Sequence, residues 1–168
     1  QASTPSEKNT QTRVFNEQAL TPNVPKNFGF GSEWVYFKIY LGTLGSDRLI
    51  MQTLHPLSEH LKTAKHIKQW FFIRYSDQDY GTHLRWRVQL SSMDAFGEVV
   101  QVLSQTLLEL KQQGAIVHYL PDTYQRELNR YLPYNIDLSE AWFALDSNFV
   151  CHALRLLAQD ETANDVLK

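Results

Sequence analysis

The sequence predicts an α+β domain: a ferredoxin-like βαββαβ antiparallel sheet with helices on one face, followed by further C-terminal helices. Three observations lead there. Runs of aromatic and β-branched residues alternate with helical stripes in the order strand, helix, strand, strand, helix, strand. The two middle strands are separated only by the short polar loop Ser76-Asp77-Gln78-Asp79-Tyr80-Gly81, which suits a hairpin. The last two stretches, Thr123–Tyr131 and Ser139–Gln159, carry helical rather than alternating patterns.

The first strand is Glu33-Trp34-Val35-Tyr36-Phe37-Lys38-Ile39-Tyr40-Leu41. Alternation puts Val35, Phe37, Ile39 and Leu41 on one face, which should meet the main core, and Trp34, Tyr36, Lys38 and Tyr40 on the other. Asp47 can cap a helix with Ile50, Leu54, Leu57 and Leu61 at 4-3-4 spacing, kinked at Pro56. Gln69–Tyr75 and Thr82–Leu90 form the hairpin; in the second arm Leu84, Trp86, Val88 and Leu90 share one face and His83, Arg85, Arg87 and Gln89 the other. Ser91 or Ser92 caps a long helix bearing Phe96, Val99, Leu103, Leu107 and Leu110, stopped by Gly114. Ala115–Leu120 is a short strand ended by Pro121, and Trp142, Leu145, Phe149, Ala153 and Leu156 form the stripe of the final helix.

Composition bounds the function classes. The 168 residues fit one domain with extensions: a polar linker or disordered stretch over 1–27, the domain over 28–160 and a polar tail over 161–168. A hydrophobic fraction of 43%, with four Trp, eight Tyr and nine Phe, excludes wholesale disorder. Sixteen basic against eighteen acidic residues give a net charge of −2, so anion binding must be local rather than driven by a global field. No apolar run reaches the ~18–20 residues of a membrane span, the N-terminus lacks the features of a secretory signal, and the lone Cys151 cannot form an internal disulfide. Cytoplasmic localisation is the expectation. The absence of an initiator Met leaves open that the chain is a piece of something longer. His55, His60, His66 and His118 show no metal-ligand spacing, so neither a metal nor another cofactor is expected.

The strand His83–Leu90 carries the chemistry. If hairpin partners have numbers summing to about 157, Arg74 lies opposite His83, Phe72 opposite Arg85 and Trp70 opposite Arg87. Arg74, His83, Arg85 and Arg87 then share a face, with Arg85 and Arg87 roughly 6–7 Å apart. Two guanidinium forks at that spacing suit one carboxylate or phosphate. Glu127 is the internal candidate to sit between them, and it stands three residues before Arg130, adjacent on a helix surface. The bland alternatives are a solvated sheet face and a surface ion pair. The aromatic company of Trp34, Tyr36, Tyr40, Trp70 and Phe72 favours a face that is covered or binds something.

Taken together, Gly31-Ser32-Glu33-Trp34-Val35-Tyr36-Phe37-Lys38-Ile39-Tyr40, Phe72-Ile73-Arg74-Tyr75 leading to His83-Leu84-Arg85-Trp86-Arg87, Tyr124 through Glu127 to Arg130-Tyr131, and Phe143 with Asp146-Ser147 form an ordered pattern. It resembles the C-terminal elimination domain of class I lantibiotic dehydratases, also found in thiopeptide-type bacteriocin biosynthesis proteins. The resemblance spans roughly residues 28–158. It implies elimination of glutamate from a glutamylated Ser or Thr of a precursor peptide, with a glutamyl-tRNA-using glutamylation domain or subunit as partner. It assigns Arg87, Glu127 and Arg130 to catalysis with Arg85 beside Arg87, and the expected hairpin register adds His83 and Arg74 as substrate-binding residues. Two departures stand out. Arg130-Tyr131 is followed by Leu132-Pro133 where the family has two glycines, and His152 comes too early to match the family's acid/base histidine, which lies in a later helical section. The other readings are a pyridine-forming cycloaddition enzyme of thiopeptide biosynthesis and a catalytically reduced peptide- or RNA-binding module, since a βαββαβ sheet with aromatics and arginines is also how RNA-recognition domains bind.

Overall fold

The computed structural model describes residues 24–166, apart from 43, 79–80 and 132–134. The extension expected before residue 24, the end of the polar tail at 167–168 and the path through Leu132-Pro133 lie outside the described residues.

Strands β2 (Trp34–Leu41), β3 (Ile67–Asp77), β4 (Gly81–Leu90) and β5 (Ile116–Pro121) form one antiparallel sheet in the order β3-β4-β2-β5. β4 is inserted between β2 and β3, and β2 between β4 and β5, the split βαβ arrangement that the element order predicts. A second, two-stranded sheet pairs β1 (Asn27–Phe28) with β6 (Tyr124–Gln125). Asn27, expected to end a disordered extension, pairs with Gln125 instead.

One face of the large sheet carries the main core. Val35, Phe37, Ile39, Leu84, Trp86 and Val88 pack there against the helices. These are α1 (Ser46–Leu49), a π-helical stretch (Ile50–Leu54), α2 (His55–Thr63) and α3 (Phe96–Gln112). Asp47 falls in the first turn of α1, which is capped by Gly45. Pro56, expected to kink the helix, lies in the opening turn of α2 just after the π-helical stretch, where the His55 N–H reaches back to the Ile50 carbonyl. Gly114 ends α3 with φ of 72°, a conformation in which a side chain would be strained.

The opposite face holds an aromatic cluster of Phe28, Trp34, Tyr36, Phe71 and Tyr124, against which Phe143 packs. It is roofed by the β1/β6 ribbon, by the short helix α4 (Leu128–Tyr131) and by α5 (Ile136–Val166). The helix expected over Thr123–Tyr131 is thus a two-residue strand followed by one helical turn, because Tyr124 and Gln125 pair with β1.

Helix α5 also corrects the expected stripe. Trp142, Leu145, Phe149 and Leu156 are exposed, with Phe149 at 72%, whereas Ile136, Glu140, Ser147 and Cys151 are buried. Two of the residues turned inward are polar, and each satisfies a specific buried partner. Among the described residues no helix is long and apolar enough to cross a membrane.

Candidate functional site

The observed hairpin register differs by one residue from the expected one. Partners sum to 158: Tyr75 lies opposite His83, Ile73 opposite Arg85 and Phe71 opposite Arg87. A one-residue slip exchanges the faces of a strand. Arg74, expected beside the other arginines, therefore points to the helical side and pairs with Asp47. Trp70 and Phe72 join the main core rather than the arginine face, and Phe71 takes their place in the second aromatic cluster.

His83 is also corrected. It is fully buried, between the rings of Tyr40 at 4.7 Å and Tyr75 at 5.5 Å, and lines neither cavity described below. Its Nε2 accepts a 3.4 Å hydrogen bond from Arg85 Nε while Nδ1 lies 3.2 Å from the Gly81 carbonyl, so its contacts in this structure are to the protein and one of them holds Arg85. Tyr75 adds a second support, its ring centre lying 3.6 Å from the Arg85 guanidinium carbon.

Arg87 sits deeper and is only 7% exposed. Its guanidinium carbon lies 4.7 Å from the centre of the Tyr36 ring, 4.6 Å from Tyr124 and 5.4 Å from Phe71. Nε of Arg87 is buried without a hydrogen-bond partner among the described residues. Burial pushes the Arg87 pKa below its ordinary value, while Tyr36, Tyr124 and Glu127 act in the opposite direction. Burial also raises the pKa of both tyrosines, so at neutral pH they offer rings and hydroxyls, not phenolates.

The clamp on Arg87 is held from behind. Arg126, 5% exposed, donates to both carboxylate oxygens of buried Glu140, from Nε at 2.7 Å and from Nη2 at 2.6 Å, and reaches Asp137 at 2.8 Å. The Tyr124 hydroxyl donates to the same Glu140 at 2.8 Å. Desolvation works to lower the Arg126 pKa, but the bonds to Glu140 and the charge of Asp137 outweigh it and raise it. At the rim, Lys38 pairs with Asp122 at 2.6 Å. Desolvation would raise the Asp122 pKa, yet the hydrogen bonds from Lys38 and the Thr123 N–H hold it below its ordinary value.

Arg85, Arg87, Glu127 and Arg130 line a cavity of about 590 Å³ together with Tyr36 and Lys38. The same four residues, with Ile73, Tyr75 and Phe143, border a smaller adjoining one of about 290 Å³. Glu127 pairs loosely with Arg130 at 3.5 Å, both side chains well exposed. Among the described residues no ion pair joins Glu127 to Arg85 or Arg87, so the expected internal counter-ion does not close the site. The cavity thus presents cations in excess, and among the described residues Lys26, Arg85 and Arg87 have no carboxylate partner. Among the described residues no group of His, Cys, Asp and Glu could hold a metal ion. Sequence reasoning missed Arg126, Lys38, Asp122 and Glu140 as site residues. Arg126 directly follows the two-residue strand Tyr124–Gln125 and stands two residues after Tyr124, a local signal for it.

Residues 34–167 match the family described as lantibiotic biosynthesis dehydratase C-term. The chain belongs to this family. Among solved structures it is similar to the tRNA dependent lantibiotic dehydratase MibB from Microbispora sp. 107891, with a TM-score of 0.70 and 26% identity over 78% of this chain. The match spans only 12% of MibB, so this chain corresponds to a small part of that protein. No curated protein sequence matches it. As a dehydratase C-terminal domain, it has the antiparallel sheet with helical cover that its sequence predicts.

Proposed function

We propose that this chain supplies the anion-holding part of a site that eliminates glutamate from glutamylated Ser or Thr in a ribosomally made precursor peptide, the dehydration step of lanthipeptide or thiopeptide biosynthesis. The observation that carries the proposal is Arg87: a buried cation, clamped between two tyrosine rings, with an unpaired Nε, lining a cavity that also holds Arg85 and Arg130.

The chemistry needs such a group. A general base supplied outside the described residues takes the α-proton, the C–H electrons pass through an enolate to form the Cα=Cβ bond, the Cβ–O bond breaks and glutamate departs as a carboxylate. Fixed guanidinium donors in a desolvated site stabilise the developing and the leaving charge without reorganising. In this reading Arg87 takes the reacting carboxyl, Arg85 and Arg130 take the second carboxylate, and Glu127 takes the ammonium of the glutamyl group. The proton-moving histidine implied by the resemblance has no counterpart among the lining residues, and a partner domain or subunit using glutamyl-tRNA would supply the glutamylated peptide.

The RNA-binding alternative loses its main support. The aromatic rings that would stack bases are buried in a cluster, with Trp34 at 0% and Tyr36 at 3% exposure. The test is to supply a glutamylated precursor peptide, to this chain and to a form extended at the C-terminus, and follow glutamate release by mass. Release that disappears in Arg87→Ala, with folding retained, is expected; release unaffected by that change refutes the assignment, and cyclisation of an already dehydrated peptide, with no release from the glutamylated one, would select the cycloaddition reading.

A further inference from the structure

Strand β3 lies at one edge of the large sheet, and only part of that edge is covered. The Phe72 N–H points outward and donates to the Ser147 hydroxyl of α5 at 3.2 Å. Because Phe72 lies opposite Trp86, this outward donor sets the phase of the strand. Residues 72, 74 and 76 turn their N–H and C=O groups to the edge, while Phe71, Ile73 and Tyr75 bond to β4. The Leu90 N–H, which donates to the Glu33 carbonyl on the β2 side, sets the matching phase on β4. Among the described residues the cover stops beyond Phe72. Ile73, Arg74, Tyr75 and Ser76 are all exposed, and the Arg74 side chain is drawn toward the helical layer by Asp47.

We infer that the edge of β3 at Arg74 and Ser76 is a docking site for the substrate peptide, which adds to the sheet as an extended strand and thereby delivers its modified side chain to Arg85 and Arg87. The inference rests on the elimination reading for the identity of the peptide. Three features favour an extended peptide here. The backbone donors and acceptors of Arg74 and Ser76 are regularly spaced and meet no partner among the described residues, the template for strand addition. Ser147 already occupies the neighbouring outward N–H, so the open stretch begins where the protein's own cap ends. The open stretch is also continuous with the site: Ile73 and Tyr75 border the smaller cavity with Arg85, Arg87 and Phe143.

Geometry makes the delivery direct. A strand added to β3 lies about 5 Å from it and about 10 Å from β4. A peptide residue opposite Ile73 or Tyr75 projects its side chain to the face those residues share with Arg85. A glutamyl ester on Ser spans about 8 Å when extended, and Arg85 leans toward it across the Tyr75 ring. The two meet above Tyr75. The peptide positions two residues away on the same face would rest on Ile73 and Phe143, which favours apolar side chains next to the reacting residue.

The probe is a short fluorescent peptide whose central residue is diaminopropionate acylated by the α-carboxyl of glutamate, an amide that cannot eliminate. Its affinity is measured by anisotropy for the wild-type chain, Ser76→Pro and Arg87→Ala, with free glutamate as competitor. Pro at an outward-facing edge position breaks no ladder bond, so the sheet is retained. Ser76→Pro is expected to weaken the peptide about tenfold, the loss of roughly one hydrogen bond and its neighbours' alignment, while leaving competition by free glutamate unchanged. In the wild-type chain, N-methylation of the probe at the edge-facing residues should give the same loss, with little further loss on Ser76→Pro, and the Arg74 and Ser76 amides should exchange more slowly when the probe is bound. Equal affinity of wild-type and Ser76→Pro for the probe, or unprotected Arg74 and Ser76 amides in the bound state, overturns the inference. Binding of glutamate without binding of the peptide refutes the edge alone; glutamate and probe binding that survive Arg87→Ala refute the elimination reading alone, and failure to bind either ligand refutes both.

Discussion

Replacing Glu140 by Ala tests whether the support behind Arg87 is electrostatic. Glu140 is 1% exposed and accepts three hydrogen bonds, two from Arg126 and one from Tyr124. Its removal leaves the buried Arg126 cation with Asp137 alone, whose side chain is 86% exposed and therefore well screened. Breaking a buried ion pair by removing one partner costs about 3–5 kcal/mol; the residual Asp137 contact argues for the lower end, about 3 kcal/mol. For a domain of this size that is a fall in Tm of roughly 6–12 °C. Equilibrium unfolding in urea, followed by Trp fluorescence, should show a lower midpoint with an unchanged slope. The triple variant Tyr124→Phe, Arg126→Met, Glu140→Leu removes the charges and the orphaned hydroxyl together, and should recover most of the lost stability. It should still bind glutamate poorly, since the ring that clamps Arg87 is no longer anchored. A triple variant as unstable as Glu140→Ala would show that lost packing, not a stranded charge, is the cause.

Ser147→Ala leaves the Phe72 N–H without its partner, and should cost about 1–2 kcal/mol with faster hydrogen exchange at the Phe72 amide. Gly42→Ala would place a Cβ 2.6 Å from the Gly114 carbonyl oxygen and 3.0 Å from that of Ala115, so the β2/β5 end must shift, at about 2 kcal/mol or more in an unfolding titration; Gly45→Ala, with nothing within 4 Å, should be close to neutral. Burial raises the Cys151 thiol from 9.0 to about 11, so iodoacetamide should label it in denaturant but not in the native chain at pH 8. Because the folded pKa is the higher one, Cys151 contributes stability that is complete below pH 9 and lost as pH rises through about 11, and Cys151→Ala should remove that part of the alkaline decline.

The sheet was legible in the sequence because its strands alternate strongly and its hairpin loop is short. Both faces of β2 and β4 follow from that alternation, as Trp86 in the main core and Arg87 against Tyr36 show. The register of β3 was not legible: alternation defines a strand's faces but not its offset against a partner, and a slip of one residue sent Arg74 to Asp47 and brought Phe71 to Arg87. Helix α5 fails for a different reason. Hydrophobic periodicity selects Trp142, Leu145, Phe149 and Leu156, but the buried side is decided by what the neighbouring elements need, a carboxylate for Arg126 and a hydroxyl for the Phe72 N–H. The two-residue pairing of β1 with β6 is too short to leave a pattern, yet it holds Tyr124 over the site.

The arginines of the site occupy three different electrostatic situations, and that difference argues for a ligand. Arg126 is neutralised inside the protein by Glu140, and its work is to hold a wall of the cavity. Arg130 is exposed and loosely paired, so its charge costs little. Arg87 is buried, lacks a carboxylate, and leaves Nε unmet. A buried donor left unmet lowers the stability of the unliganded fold, and Arg87 stays turned to the cavity it lines. The preceding residue, Trp86, is fully buried on the other face with its indole N–H 3.3 Å from the Ser58 hydroxyl, which anchors the strand beneath Arg87. The clamp of Tyr36 and Tyr124 blocks the side chain in turn. A rigid, desolvated cation facing a cavity gains most from an anion that enters the site, which is the property a group must have to stabilise charge that appears only during reaction.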